Sequence, residues 1–305
     1  MFVVILGAGP AGMTCANALH TFGIESLVLE RDTVPGGAQR NNFHPNLWLL
    51  GAPEETGREV TERMVRHFAS LPIPLHVNAE LARLRHDDAR LRLTYRAGTA
   101  DAPPVDLEAD ALVIATGTRP HATPALWALA EASPRVIVGP LSDAIRDDIR
   151  GARVLILGGG DNALDHALFL ASLGNRVTTC TRGLFTARPG FIEACAAAPD
   201  IQLRSACTAR ALHASLDAVQ ADFDQGSEQY DWLLVMYGYR PNVEVITRFE
   251  ASLQPRLSAS GHIACDRWQR TSVDRVYAAG DVTETLQPSV ASAFAQGLCA
   301  ARAIE

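Results

Sequence analysis

The residues of this sequence best suited to chemistry stand in two glycine runs, Gly7-Ala8-Gly9-Pro10-Ala11-Gly12 and Gly158-Gly159-Gly160-Asp161-Asn162-Ala163. Such a run binds an anion with main-chain N–H groups. Its first glycine permits a tight turn, its second removes the side chain where a pyrophosphate approaches, and its third lets the next helix pack close to the sheet. The helix start adds unpaired N–H groups and the positive end of a dipole. Pro10 fits there because its missing N–H has no partner inside the helix.

Each run needs a strand before it and a helix after it, and both are present. Val3 to Leu6 reads as a strand, Met13 to Phe22 as a helix, and Gly23 as its stop. Glu25 to Glu30 then reads as a second strand ending in an acid, whose carboxylate is placed to accept hydrogen bonds from a ribose diol. In the second copy Val154 to Leu157 leads into the turn, Leu164, Ala167, Leu168 and Ala171 mark the helix, and Gly174 ends it. Gly7, Gly9, Gly12, Gly23 and Glu30 correspond to Gly158, Gly160, Ala163, Gly174 and Thr181 at a constant separation of 151 residues. One unit is used twice. The ordered strand, turn, helix and distal acid favour dinucleotide binding over a merely structural glycine turn.

The copies differ at the end of the second strand, where Thr181 and Arg182 replace the acid. A carboxylate repels a 2′-phosphate, whereas a hydroxyl and a guanidinium suit it, so the second unit favours NADP, with NAD possible. Arg188 is a further candidate for the same anion. A solvated surface pair is the plainer reading of Arg182 and Arg188.

A second echo marks the domain boundary. Asp110 to Pro120 and Asp231 to Pro241 are each an apolar strand closing on a glycine, an arginine and a proline, the shape of a sharply defined strand exit. The expected fold is α/β, two Rossmann-like nucleotide-binding domains with the second inserted in the first: residues 1–117 and 242–305, then 118–241. Leu75 to Val77, Leu81 to Leu84 and Leu91 to Tyr95 are short strand candidates. In the tail, Val276 to Asp281 reads as a strand delivering an aspartate into a cleft, with a plain turn aspartate as the alternative, and Ser289 to Ile304 as a largely apolar helix.

Composition narrows the classes. The formal charge of −7, with no Lys/Arg block or aromatic-basic stripe, argues against a nucleic-acid partner. Arg83, Arg85, Arg90 and Arg92, close to Asp87 and Asp88, suit a solvated hairpin. The opening apolar run reaches glycine after six residues, too short for a signal-peptide core or a membrane span, so the default location is cytoplasmic. Cys15, Cys180, Cys195, Cys207, Cys265 and Cys299 show no CxxC and no metal-ligand spacing, and most are expected to be buried thiols; no metal site is expected.

GAGPAG with Glu30, Pro35-Gly36-Gly37, Ala115-Thr116-Gly117, GGGDNA, Tyr237-Gly238-Tyr239-Arg240-Pro241-Asn242 and Ala278-Ala279-Gly280-Asp281 together resemble the thioredoxin-reductase-like flavoproteins, over nearly the whole chain. The resemblance implies FAD on Gly7, Gly9, Gly12 and Glu30, with Gly36, Gly37, Gly280 and Asp281 toward its ribitol and ring. It implies NADPH on Gly158, Gly160 and Ala163, with Arg182 near the adenosine phosphate, and a homodimer. N–H groups around Pro288-Ser289-Val290 would then stabilise negative charge on the reduced ring. Two departures matter. Relatives using NADPH commonly carry His-Arg-Arg where this chain has Thr181-Arg182-Gly183. True thioredoxin reductases carry Cys-x-x-Cys where it reads Ile137-Val138-Gly139-Pro140-Leu141-Ser142-Asp143-Ala144, so the usual dithiol route is not expected.

A second branch of similar proteins, ferredoxin- or flavodoxin-NADP reductases, also lacks CxxC. Its resemblance implies hydride transfer from NAD(P)H to flavin and then electron delivery to a non-disulfide acceptor, such as a small electron-transfer protein, a quinone, a metabolite or oxygen. Those enzymes often cover the flavin with an aromatic ring on a C-terminal extension, whereas this sequence closes at Glu305. Candidates for shaping the open face are Asn42, Phe43, His44, Asn46 and Trp48: a ring to stack, an amide to hydrogen-bond, an imidazole to move a proton. A core aromatic and a satisfied surface histidine are the plainer readings, and Tyr237 and Tyr239 suit packing. Two other functions stay open: an FAD-dependent oxidase or oxygenase-like pathway enzyme with a vestigial nicotinamide site, and a non-enzymatic FAD-binding sensor or scaffold.

Overall fold

Phe2-Val-Val-Ile-Leu is a short apolar run rich in β-branched residues, the composition of a parallel strand covered on both faces. In the computed structural model, which describes residues 1–45, 49–87, 90–99 and 102–305, it becomes the central strand of a sheet. In chain order the elements are β1 Phe2–Leu6, α1 Pro10–Thr21, β2 Glu25–Leu29, α2 Gly57–Ala69, β3 Leu75–His76, β4 Ala79–Asp87, β5 Arg90–Ala97, β6 Val105–Ala109 and β7 Ala111–Ile114. Then come β8 Thr118–Pro120, α3 Pro124–Ala132, β9 Val136–Val138, α4 Asp143–Asp147, β10 Arg153–Leu157, α5 Asp161–Ser172, β11 Arg176–Cys180, α6 Pro189–Ala197 and β12 Ile201–Arg204. The last are β13 Ala211–Ala214, β14 Val219–Phe223, β15 Gly226–Tyr230, β16 Trp232–Val235, β17 Tyr239–Pro241, β18 Val276–Ala278 and α7 Val290–Ile304.

The chain divides into two compact units, residues 1–119 with 241–305, and residues 120–240. The two Gly-x-Arg-Pro echoes fall on β8 and β17, the strands where the chain passes from one unit to the other.

In the first unit the parallel sheet runs β18-β7-β1-β2-β3. Side chains alternate across it. Val3, Ile5 and Val28 face α1 and α7, joining Ala11, Cys15, Leu19, Ala293, Ala300 and Ile304 in one cluster. Val4, Leu6, Leu27 and Leu29 face the antiparallel sheet β4-β5-β6, meeting Leu81, Leu84, Leu91 and Leu93. Each Val, Leu or Ile removed fully from water contributes roughly 1.5–3 kcal/mol. The strand expected at Leu81 to Leu84 is longer in the structure, because its pairing with β5 extends it past an irregularity between Leu81 and Arg83. Arg90 and Arg92 of β5 pair with Glu108 of β6, and Arg90 also pairs with Asp110 just after it.

The second unit repeats the plan with a sheet in the order β12-β11-β10-β16-β9, all parallel, and an antiparallel β13-β14-β15. Leu155, Leu157, Leu233 and Val235 pack on Val219, Ala221, Phe223 and Tyr230. Asn175, fully buried, clips this unit together: its Oδ1 accepts the Ala152 N–H, and its Nδ2 donates to the carbonyls of Ile149 and Leu170. Cys15, Cys180 and Cys195 are buried, but Cys207, Cys265 and Cys299 are partly exposed because loops or one helix face carry them, so burial holds for fewer thiols than expected. No helix among the described residues is long and apolar enough to cross a membrane.

Candidate functional site

The first turn joins β1 to α1. Gly7 has a left-handed φ of 105°, and a Cβ there would overlap the Ala115 carbonyl oxygen, so no other residue fits. A Cβ at Gly12 would overlap the Gly7 carbonyl oxygen, which is how tightly α1 folds back on its turn. Gly9 is different. It is the N-cap of α1, extended at φ −80° and ψ −175°, and among the described residues the only neighbour its Cβ would meet is the Gly37 Cα at 3.8 Å.

Glu30 is buried, and both its carboxylate oxygens are engaged: Oε2 accepts the Ala8 N–H at 2.7 Å and Oε1 the Asp32 N–H at 2.9 Å. The acid therefore holds the glycine turn against the end of β2, and each oxygen keeps a second lone pair for a ribose hydroxyl. Gly36 donates its N–H to the Ala8 carbonyl, and the Gly37 Cα lies against Gly9, so Pro35-Gly36-Gly37 forms the second wall of the cradle.

The tail supplies a third wall. Ala279 donates its N–H to the Ile114 carbonyl, which anchors the Gly280-Asp281 turn at the end of β18 beside β7. Asp281 Oδ1 is buried with no hydrogen-bond partner among the described residues, and burial raises the carboxyl pKa above its ordinary value, with His262 partly opposing. An unpartnered buried oxygen of this kind is costly and is expected where a ligand hydroxyl completes it. Ser289 caps α7 by accepting the Ser292 N–H, and Ser292 Oγ accepts the Ser289 N–H, so the cap leaves the Val290 and Ala291 N–H groups without a partner inside the helix.

The second turn joins β10 to α5. Gly158, at φ 155°, has no room for a Cβ beside the Met236 carbonyl oxygen, and nothing among the described residues lies within 4 Å of a Cβ at Gly160. Ala163, the counterpart of Gly12, is fully buried with its methyl accommodated. Thr181 packs over Gly159, and Arg182 is exposed with its guanidinium 6.0 Å from the Tyr237 ring centroid. Arg188 is engaged differently: its Nε and main-chain N–H both donate to the Asp161 carboxylate, at 2.7 and 2.8 Å, and its guanidinium lies over Phe191. That pairing leaves Arg182 as the arginine beside Thr181 at the end of β11.

The open-face candidates separate. Asn42 Oδ1 accepts the His44 N–H and its Nδ2 donates to Gln39 Oε1, so this amide braces its own loop. The His44 carbonyl accepts the Gly57 N–H, and the His44 ring lies against Phe43, with centroids 4.5 Å apart and planes tilted by 33°. Asn46 and Trp48 lie outside the described residues. Two residues that the motifs did not flag complete the first unit. Gln296 Oε1 accepts the Gly280 N–H at 2.6 Å and the Thr283 hydroxyl at 3.1 Å. Gly297 lets α7 press on the Ala11 carbonyl, where a Cβ would overlap. The polar interruption Gln296-Gly297 inside an apolar helix was the available signal.

A family model described as pyridine nucleotide-disulphide oxidoreductase matches residues 1–297. The chain is 26% identical to a ferredoxin–NADP reductase of Lactobacillus delbrueckii subsp. bulgaricus, over 91% of this chain and 86% of that protein. It is 28% identical to a CoA-dependent NAD(P)H sulfur oxidoreductase of Pyrococcus abyssi, over 93% of this chain and 63% of that longer protein. Among solved structures, the thioredoxin reductase of Lactococcus lactis has the same fold, with a TM-score of 0.81 at 22% identity over 98% of this chain and 96% of that one. With both glycine turns and nearly the full length inside the match, the chain belongs to the pyridine nucleotide-disulphide oxidoreductase family.

Proposed function

We propose that the protein is an FAD-dependent oxidoreductase that takes reducing equivalents from NADPH and passes them to an acceptor other than a disulfide. The observation that carries the reading is the pair of glycine turns in which Gly9 and Gly160 each stand at a helix start with no side chain of their own, the first turn running into a helix whose Ala11 lies against Gly280, the residue before the unpartnered buried Asp281 Oδ1. These residues fit the groups. The first turn and the α1 N–H groups would hold the FAD pyrophosphate, Glu30 its ribose, and Asp281 a ribitol hydroxyl. The N–H groups of Val290 and Ala291 suit negative charge on the ring. The second turn would hold NADPH, with Arg182 and the Thr181 hydroxyl at the 2′-phosphate. When bound, the flavin supplies the redox chemistry, accepting hydride and releasing electrons singly or in pairs.

Two facts support a non-disulfide acceptor. Ile137 to Ala144 contains no cysteine, and relatives named ferredoxin–NADP reductase match most of this chain. The same segment is tied to α5 by His166, whose ring nitrogens contact the carbonyls of Pro140 and Asn162. The test is anaerobic turnover of the FAD-loaded protein with NADPH against ferredoxin, flavodoxin, a quinone and oxidised thioredoxin. Reduction of one or more of the first three, with thioredoxin left oxidised, is expected. Thioredoxin reduction at comparable kcat/KM would overturn the acceptor assignment.

A further inference from the structure

Cys180 and Cys207 are 27 residues apart in sequence, yet the Cys207 Sγ–H donates to Cys180 Sγ at 3.4 Å. Cys180 is the last residue of β11, and its carbonyl accepts the Gly158 N–H at 2.9 Å, so the same residue anchors the second glycine turn. Thr181 and Arg182 follow it directly. Cys207 comes after β12, next to Ala206, whose φ of 49° is left-handed and strained for a residue with a Cβ. Two main-chain bonds connect the segments: Cys207 N–H to the Thr181 carbonyl at 2.9 Å, and Ala206 N–H to the Gly183 carbonyl at 3.0 Å.

We propose that Cys180 and Cys207 form a reversible disulfide that weakens dinucleotide binding at the second glycine turn, an inference that rests on the dinucleotide reading of that turn. A disulfide needs its sulfurs about 2.05 Å apart, so oxidation draws the two segments together. The movement acts on Thr181, Arg182 and Gly183 through the main-chain bonds and on Gly158 through the Cys180 carbonyl. Arg182 and the turn therefore shift together.

The oxidant is a low-molecular-weight disulfide. Cys207, the more accessible thiol, attacks one of its sulfurs as the thiolate, and the other sulfur leaves as a thiolate that takes up a proton. Cys180 then gives up its proton and displaces the second small thiol from Cys207 Sγ. Two protein thiols lose two electrons and two protons, and the small disulfide becomes two thiols. Burial first, then the adjacent Cys207, pushes the Cys180 thiol up to about 12, which assigns it the second step.

The full-length protein is treated with oxidised glutathione, quenched with iodoacetamide and mapped by peptide mass. Calorimetric titration with NADP⁺ then compares reduced and oxidised protein. A peptide crosslink between residues 180 and 207 is expected, with the NADP⁺ Kd raised about tenfold, near the low end of ordinary coupling between sites. Dithiothreitol should restore the affinity, and Cys207→Ser should bind NADP⁺ equally well with and without oxidant. Glutathione trapped on Cys207 with no crosslink would overturn the proposal, as would crosslinked protein that binds as tightly as reduced protein. Reduced protein that binds neither NADP⁺ nor NAD⁺ would overturn the functional reading instead. The crosslink is scored before nucleotide is added, which keeps the two failures apart.

Discussion

The two glycine turns share a backbone plan and differ in what holds them. In the first, a buried acid at the end of β2 accepts the Ala8 N–H, so one carboxylate shapes the turn. In the second that position is Thr181, and the turn is held from another direction: Thr186 and Ala187 donate their N–H groups to the Gly159 carbonyl, and Arg188 pairs with Asp161. Moving the structural role to another loop frees the end of β11 to carry a hydroxyl and a guanidinium. The helices differ as well. α1 is pressed between its own turn and α7, which excludes a methyl at Gly12 and at Gly297, while α5 accommodates Ala163. The backbone plan fixes the turn, and the residue at the end of the next strand is where the two copies differ.

The sharpest way to break this comparison is to exchange the third residue of each turn. Gly12→Ala forces overlap with the Gly7 carbonyl oxygen, and overpacking of this kind costs about 1–3 kcal/mol. Ala163→Gly removes only a tolerated methyl, at roughly 0.5–1 kcal/mol. Thermal melts of both variants, with flavin content, would read the asymmetry; equal losses would show that the helices sit alike. Glu30→Ala comes next. It strands the buried Ala8 N–H at about 1–3 kcal/mol and should release FAD on gel filtration, whereas Thr181→Ala should leave both melting temperature and flavin content near wild type.

Gly160→Ala separates binding from folding. The added methyl meets no atom of the described residues within 4 Å, so stability should fall by no more than about 1 kcal/mol, the cost of alanine at a helix N-cap. Its place over the helix start should still raise the KM for NADPH tenfold or more, roughly 1.4 kcal/mol, and an unchanged KM would mean that phosphate binds elsewhere. Arg182→Ala should raise the KM for NADPH several-fold and leave that for NADH alone; an equal rise for both would remove Arg182 from the 2′-phosphate.

The smallest effect concerns Asp281 in flavin-free protein. Its folded pKa is raised by burial, so its stabilising contribution is present below the ordinary carboxylate value of about 3.9 and is lost as pH rises through the raised value. Asp281→Asn should therefore melt higher than wild type near neutrality, match it in acid, and retain less FAD. A variant less stable at both pH values would show that the carboxylate is paired.

The glycine turns, their strands and their helices were legible in sequence because each imposes a local rule: no Cβ at Gly7, an apolar run at β1, an acid ending β2. What escaped depends on approach in space. Gln296 matters because α7 brings it to Gly280, and Asn175 because three carbonyl and amide groups converge on it. Asn42 braces its own loop through Gln39 and the His44 N–H, partners that the sequence pattern did not show. Arg188 pairs with Asp161 at the first position of α5, a partner that spacing in sequence did not show. The outer strands show the same limit: β18 arrives from the end of the chain and β9 from before its own turn, yet both complete five-stranded sheets of the same plan.

The central claim, that one turn holds flavin and the other the nicotinamide nucleotide, is tested most directly by adding one equivalent of NADPH, without oxygen, to FAD-loaded wild-type and Gly160→Ala proteins. Prompt bleaching of the oxidised flavin band in wild type, with slowed bleaching in the variant at equal flavin content, is the result the account requires. Flavin that stays oxidised in wild type with both NADPH and NADH, or that bleaches at the same rate in both proteins, would contradict it.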